Sequence, residues 1–259
     1  MSQAFNAMTD AIDHLINDIY EKKLVAMDSE LRFLQSQVNP HFMYNVLCSM
    51  ALMAQLDGNP EIQRMASNFA GLTQARLSSG GDIKIPLVQE LQYAKFYIEL
   101  QQMRFGEKIS YHVTVSDDSL LYCLIPKLTI EMLVENAVGH GIEPKEGIGT
   151  VQVSISCAAP ETLKIVIADD GVGFEGKNGE IPLPLDLPAA GNRHNRIALN
   201  TVYKMLHHLY GSKYGIHISS FENVGTTVTI LLPKEDSRNV QNSDSGRRDL
   251  DAKGPMHID

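Results

Sequence analysis

Long apolar runs are missing from the 259-residue sequence. No stretch of about 18 apolar residues occurs, so nothing in the chain reads as a membrane span. The start, Met1-Ser2-Gln3-Ala4-Phe5, lacks the charged-then-apolar order of a signal peptide. Cysteine is scarce: Cys48, Cys123 and Cys157 are odd in number, far apart and in no CxxC pair. That pattern excludes a disulfide framework and a zinc site, and points to free thiols in a reducing, cytosolic compartment. Basic residues are also short, 22 against 31 acidic ones, for a formal charge of -9. Such a balance argues against nucleic acid as a partner.

What is present is a hydrophobic fraction of 44%, enough for a real core, and a length that suits two domains of about 150 residues or fewer. Apolar residues at Phe5, Met8, Ile12, Leu15 and Ile19, then Leu24, Met27, Leu31, Leu34 and Val38, recur at steps of three and four. They predict a coiled-coil-like, self-pairing helix with a phase slip near Tyr20 to Leu24; packing on its own domain is the alternative. Pro40 should kink this helix, and Phe42, Val46, Met50 and Met53 continue its apolar face. Further helices are expected at 61–77 and 86–105, with Gly106 as a stop. Period-two or apolar runs at 109–115, 151–156, 163–168 and 226–231 predict strands, with helices at 127–139 and 195–210 between them. The fold class is therefore α+β, a helical first part giving way to a mixed second part near Gly106. The Gly- and Pro-rich segment 174–192 has the composition of a mobile lid, and the polar residues from Glu235 onward that of a disordered tail.

Three short constellations carry chemistry. In Gln37-Val38-Asn39-Pro40-His41-Phe42-Met43-Tyr44-Asn45, His41 and Asn45 fall on one helix face. A neutral imidazole is a competent nucleophile, and an amide one turn away can fix its tautomer; a surface histidine at a kink is the plain alternative. In Glu131-Met132-Leu133-Val134-Glu135-Asn136, Glu135 and Asn136 fall deep in an apolar helical pattern. Asn136 suits Mg²⁺ as an oxygen ligand and Glu135 suits proton acceptance or orientation of a water. A helix-end polar pair capped by His140 and Gly141 reads equally well. Asp169-Asp170-Gly171-Val172-Gly173 ends a strand in an acid followed by glycines that admit close backbone approach. Such an acid can accept from an exocyclic amine, although a calcium-type turn or a hairpin would also fit. Thr226, entering the last strand, adds a hydroxyl that would floor the same pocket.

The order of these pieces is more specific than any one of them. The sequence resembles the LytS/YesM-type sensor histidine kinases over roughly Leu31 to Pro233. His41 sits in what resembles their phosphoacceptor motif, Leu133-Val134-Glu135-Asn136-Ala137 in their N box, and Asp169 to Gly173 in their first glycine box. Gly225-Thr226-Thr227-Val228 matches the closing strand, with Tyr97-Ile98-Glu99, Arg104-Phe105-Gly106 and Ile125-Pro126 as further landmarks. Phe5-Asn6-Ala7-Met8 resembles the end of a HAMP module. The resemblance implies four regions: a HAMP-like helix and linker over 1–30, a helical dimerisation and phosphoacceptor region over 31–106, a GHKL (Bergerat) α/β sandwich over 107–234, and a polar tail over 235–259.

It further implies ATP and Mg²⁺ as cofactors. Catalysis would fall to His41, Glu135 and Asn45, with Asn136 on the metal. Nucleotide binding would fall to Asn136, His140, Asp169, Gly171, Gly173, Arg196 and Thr226, with Asp169 reading adenine and Gly171 and Gly173 lining the base. A homodimer, a response-regulator receiver domain as partner, and a transmembrane segment outside this chain complete the implied picture of a cytoplasmic kinase region. The sequence departs from the family pattern in two segments. Arg196 and Ala198 stand where the second glycine box has glycines, and Gly139 where a lysine is common. Arg193 and Arg196 would then supply phosphate charge directly. Three readings remain open: an autophosphorylating histidine kinase, a nucleotide-poor dimeric signalling scaffold, and a GHKL ATPase outside signalling.

Overall fold

Helix formation begins in the described chain with α1 (Pro40–Leu56), which ends at a turn where Gly58 takes a φ of 69°. The structure, a computed structural model, describes residues 40–77, 83–174, 178–185 and 193–237. The side chains of His41 and of 193–197 lie outside that description, as do the expected seam, the HAMP-like segment 1–30 and most of the tail. The chain divides into two units, 1–46 and 47–259, and α1 crosses the division.

Asn59 begins α2 (Pro60–Leu77) by accepting the Ile62 amide on its side-chain oxygen at 3.1 Å. Pro60 occupies the first turn, where its missing donor costs nothing. The buried face of α2 is built from Ala66, Ala70, Leu72 and Ala75. Small side chains let it lie close to α3 (Leu87–Phe105), and Asn68 donates to Glu99 of α3 at 2.6 Å. Gly106, at φ 63°, stops α3 as the sequence predicts. Pro86 differs from expectation: it closes the three-residue strand β1 (Lys84–Pro86) and precedes the helix. β1 pairs antiparallel with β3 (Leu124–Pro126).

The second layer is a six-stranded sheet. Its strands are β2 (Ile109–Val115), β4 (Gly149–Ala159), β5 (Thr162–Asp169), β6 (Asn178–Ile181), β7 (Gly215–Phe221) and β8 (Gly225–Pro233). They lie in the order β2-β4-β5-β8-β7-β6, parallel between β2 and β4 and antiparallel elsewhere. Alternation along the strands sends Val151, Val153, Ile155, Leu163, Ile165, Ile167, Val228, Ile230 and Leu232 into the core. Helices α3, α4 (Thr129–Asn136) and α5 (Arg193–Tyr210) contribute Ile98, Leu133, Val134, Leu199, Val202 and Leu206 to the same core. This is the α+β layering expected.

Two expectations change. The segment 174–192 is not wholly a lid, because 178–181 forms β6 and pairs with β7; 175–177 and 186–192 lie outside the described residues. The tail does not begin at Glu235. Both carboxylate oxygens of Glu235 accept from Lys84 Nζ, at 2.8 and 2.7 Å, its carbonyl accepts from the Leu124 amide, and Asp236 bridges to Cys123. An ion pair to β1 thus carries the fold past the last strand.

Candidate functional site

Helix α4 is started from outside itself. Leu128 takes a φ of 64°, and the Thr129 hydroxyl donates back to the Pro126 carbonyl at 2.7 Å. The otherwise unpaired amides of the first turn go to Glu90 of α3, whose carboxylate accepts from Leu128 at 2.5 Å and from Ile130 at 3.0 Å. A carboxylate at a helix N-terminus is favoured by unpaired donors and the helix dipole. Glu90 is fully buried, and that burial pushes its pKa up to about 7 despite the amide bonds.

One turn along, Glu131 and Glu135 project from the same face of α4. Arg76, from the end of α2, bonds both: its guanidinium donates to Glu131 Oε1, and Nη2 reaches Glu135 Oε2 at 2.5 Å. Glu131 is buried and its pKa is raised by desolvation, with Arg76 pulling it back. Glu135 is half exposed. The next residue, Asn136, holds a buried side-chain oxygen, Oδ1, with no hydrogen-bond partner. Buried polar atoms rarely stay unpaired, and an amide oxygen of this kind is a ligand for a hard cation. Among the described residues no cluster of three His, Cys, Asp or Glu could hold a metal.

After Asn136 the helix widens into a π-helical turn, Ala137–Ile142. Glu135, Asn136, Gly139 and His140 line a cavity of about 350 Å³, together with Tyr97, Gln101, Arg104, Met132, Glu143 and Ala198. Gly139 has open space where a side chain would project. Ala198, the residue in the altered glycine box, presents its methyl group to this cavity.

The same turn reaches the strand ends through Gly141. Asp169 closes β5 and accepts on one oxygen, Oδ1, from the amides of Gly171 (2.9 Å) and Thr226 (3.3 Å). Burial pushes its pKa up to about 6, against the pull of those amides. The hydroxyl of Thr226 meets that of Ser220 at 2.9 Å, and Ser220 also accepts the Phe174 amide and donates to the Gly225 carbonyl. Ser220 is fully buried. Glycines pack the cluster together. A Cβ on Gly171 would stand 2.3 Å from the Gly141 backbone, one on Gly173 2.2 Å from the Phe221 carbonyl, and one on Gly225 2.0 Å from the Asp169 carbonyl. Gly171 and Gly173, expected to line a base, have this backbone packing as their visible role. Asp170 points elsewhere; it takes the Thr150 amide and pairs with Lys145 at 2.9 Å.

The structure therefore brings Glu135, Asn136 and His140 onto one cavity, and Asp169, Gly171, Gly173 and Thr226 into an adjoining cluster. His41 and Asn45 fall four positions apart in α1, in the other unit, with the Asn45 side chain exposed. Arg193 and Arg196 lie on α5, their side chains outside the described residues. Arg76, Glu90 and Ser220 were not found from sequence.

Residues 29–109 match the histidine kinase family. Sensor histidine kinase YesM of Bacillus subtilis is 29% identical over 233 residues, 90% of this chain and 38% of its own length. Sensor histidine kinase YpdA of Escherichia coli is 34% identical over 212 residues, 82% of this chain and 35% of its own. The chain thus spans little more than a third of the length of these relatives. A solved histidine kinase domain from the Erythrobacter litoralis EL346 blue-light activated kinase covers 80% of this chain and 92% of its own, at 20% identity and a TM-score of 0.41. On these relatives, the chain belongs to the LytS/YesM-type sensor histidine kinases.

Proposed function

We propose that this chain is the cytoplasmic kinase region of a two-component sensor, which phosphorylates its own His41 from ATP and then passes the phosphoryl group to an aspartate of a response regulator. The observation that carries the reading is the orphaned Oδ1 of Asn136, buried beside a cavity that Glu135 and His140 also line. Asn136 would hold Mg²⁺, which, when bound, neutralises charge on the phosphates. Asp169, with both amide bonds on Oδ1, offers its second oxygen to the exocyclic amine of adenine.

In the transfer, a ring nitrogen of His41 forms a bond to the γ-phosphorus, the bond to the β,γ-bridging oxygen breaks, and ADP leaves with that electron pair. The imidazole gives up one proton, and Glu135 assists. Asn45, one turn from His41, orients the ring. The protein's part is mostly positioning and charge. Homodimerisation is supported by Met50, Met53, Ile62, Met65 and Phe69, which leave an exposed apolar face along α1 and α2. No helix among the described residues is long and apolar enough to cross a membrane. The test is transfer itself. Chain phosphorylated by Mg-ATP and freed of nucleotide should lose its label to a purified receiver domain from its own genome, and a label that moves to none of those receivers contradicts the reading.

A further inference from the structure

Glu131 and Glu135 stand one turn apart on α4, so their charges oppose each other unless a cation lies between them. The cation is Arg76, and it arrives from a different helix, 55 and 59 residues away in the chain. Its grip is unequal. Nε and Nη2 both donate to one oxygen of Glu131, a carboxylate only 1% exposed, while the same Nη2 also donates to Glu135. Glu131 Oε2 stays buried and unpartnered. The guanidinium is thus anchored in the interior and turned so that its outer nitrogen meets a carboxylate at the cavity edge. An exposed glutamate otherwise samples several rotamers, and a fixed fork restricts it to one.

We propose that Arg76 is a positioning residue for phosphoryl transfer: anchored on buried Glu131, it holds the Glu135 carboxylate in place beside Asn136. The proposal rests on the reading of Glu135 as a group that assists transfer. It also makes the orientation of that carboxylate depend on where the end of α2 lies, so that a displacement of α2 would release it.

The experiment is a double-mutant cycle on the full chain, following uptake of acid-labile phosphate from Mg-ATP in wild type, Arg76→Gln, Arg76→Lys, Glu135→Gln and Arg76→Gln/Glu135→Gln. Arg76→Gln should lower kcat at least about tenfold with KM for ATP within about twofold. Arg76→Lys should recover part of the loss, and Arg76→Gln should add nothing once Glu135 is Gln. Because Arg76 also neutralises buried Glu131, the pair is repeated in a Glu131→Gln background, where its removal strands no buried charge. An equal loss in both Glu135 backgrounds, a change in KM alone, or an unchanged kcat overturns the positioning role while leaving the kinase reading intact. A wild type that takes up no phosphate overturns the kinase reading, and the positioning role falls with it.

Discussion

Gly141 and Asp169 approach so closely that a Cβ on the glycine would stand 2.5 Å from Asp169 Oδ1, the oxygen that takes the Gly171 and Thr226 amides. The π-helical turn after the N box and the end of β5 are therefore fitted to each other at a point with no room for a methyl group. Gly141→Ala must push the carboxylate off its two amides or move the turn. We expect it to cost about 1–3 kcal/mol of stability and to weaken nucleotide binding at least about tenfold, about 1.4 kcal/mol. Urea denaturation and titration with a fluorescent nucleotide check both; a variant with wild-type affinity would disconnect Asp169 from the nucleotide.

Asn136→Ala separates metal binding from folding. Its Oδ1 has no partner in the protein, so losing that atom forfeits no hydrogen bond at that oxygen. Thermal stability should stay within about 1 kcal/mol, since the cavity formed is small. The increment in nucleotide affinity that Mg²⁺ adds should vanish. Titrations with and without the metal give the answer, and an undiminished increment removes Asn136 from the metal site.

Stability should fall as pH rises through the weakly acidic range. Glu90 is raised from 4.5 to about 7 and Asp169 from 3.8 to about 6, both by burial. Between the ordinary and raised values the native chain keeps protons that the unfolded chain has released. The slope of unfolding free energy with pH is then negative. The loss accumulates between about pH 4 and pH 7 and levels off above. Asp170, held below the ordinary range by Thr150 and Lys145 against its partial burial, acts below that window. Glu90→Gln offers one acceptor where Glu offers two, so its baseline should drop by about 1–2 kcal/mol while much of the slope disappears. Melting temperatures at pH 5 and pH 8 decide it; an unchanged slope in the variant would locate the titrating group elsewhere.

Ser220→Ala leaves the Phe174 amide without its acceptor and the Thr226 hydroxyl without its neighbour. A cost of about 1–3 kcal/mol is expected for the stranded groups, read from urea midpoints. A cost below about 0.5 kcal/mol would mean the network contributes little.

The helices and long strands were legible because apolar periodicity survives along most of each. β1 and β3 have three residues apiece, too few for any period to register. β7 was hidden for a more informative reason. Ile216, Ile218 and Ser220 all face inward, and the serine interrupts the apolar alternation where the site needs a hydroxyl. Asn136 and Asp169 were found because motif order singled them out. Arg76 and Glu90 were not, since each acts on α4 across some 40 to 59 residues, and a tertiary contact leaves no local mark. At Gly171 and Gly173 it is the backbone of the protein itself that leaves no room for a Cβ.

His41 is expected to receive phosphate from ATP. The most direct measurement is incubation of the chain with γ-labelled ATP and Mg²⁺, followed by acid and alkali treatment of the protein. Wild type should carry label that acid removes and alkali does not, as a phosphoramidate requires, and His41→Gln should carry none. A wild-type chain that binds Mg-ATP yet gains no such label, or a His41→Gln chain that gains it equally, would rule out phosphorylation of His41.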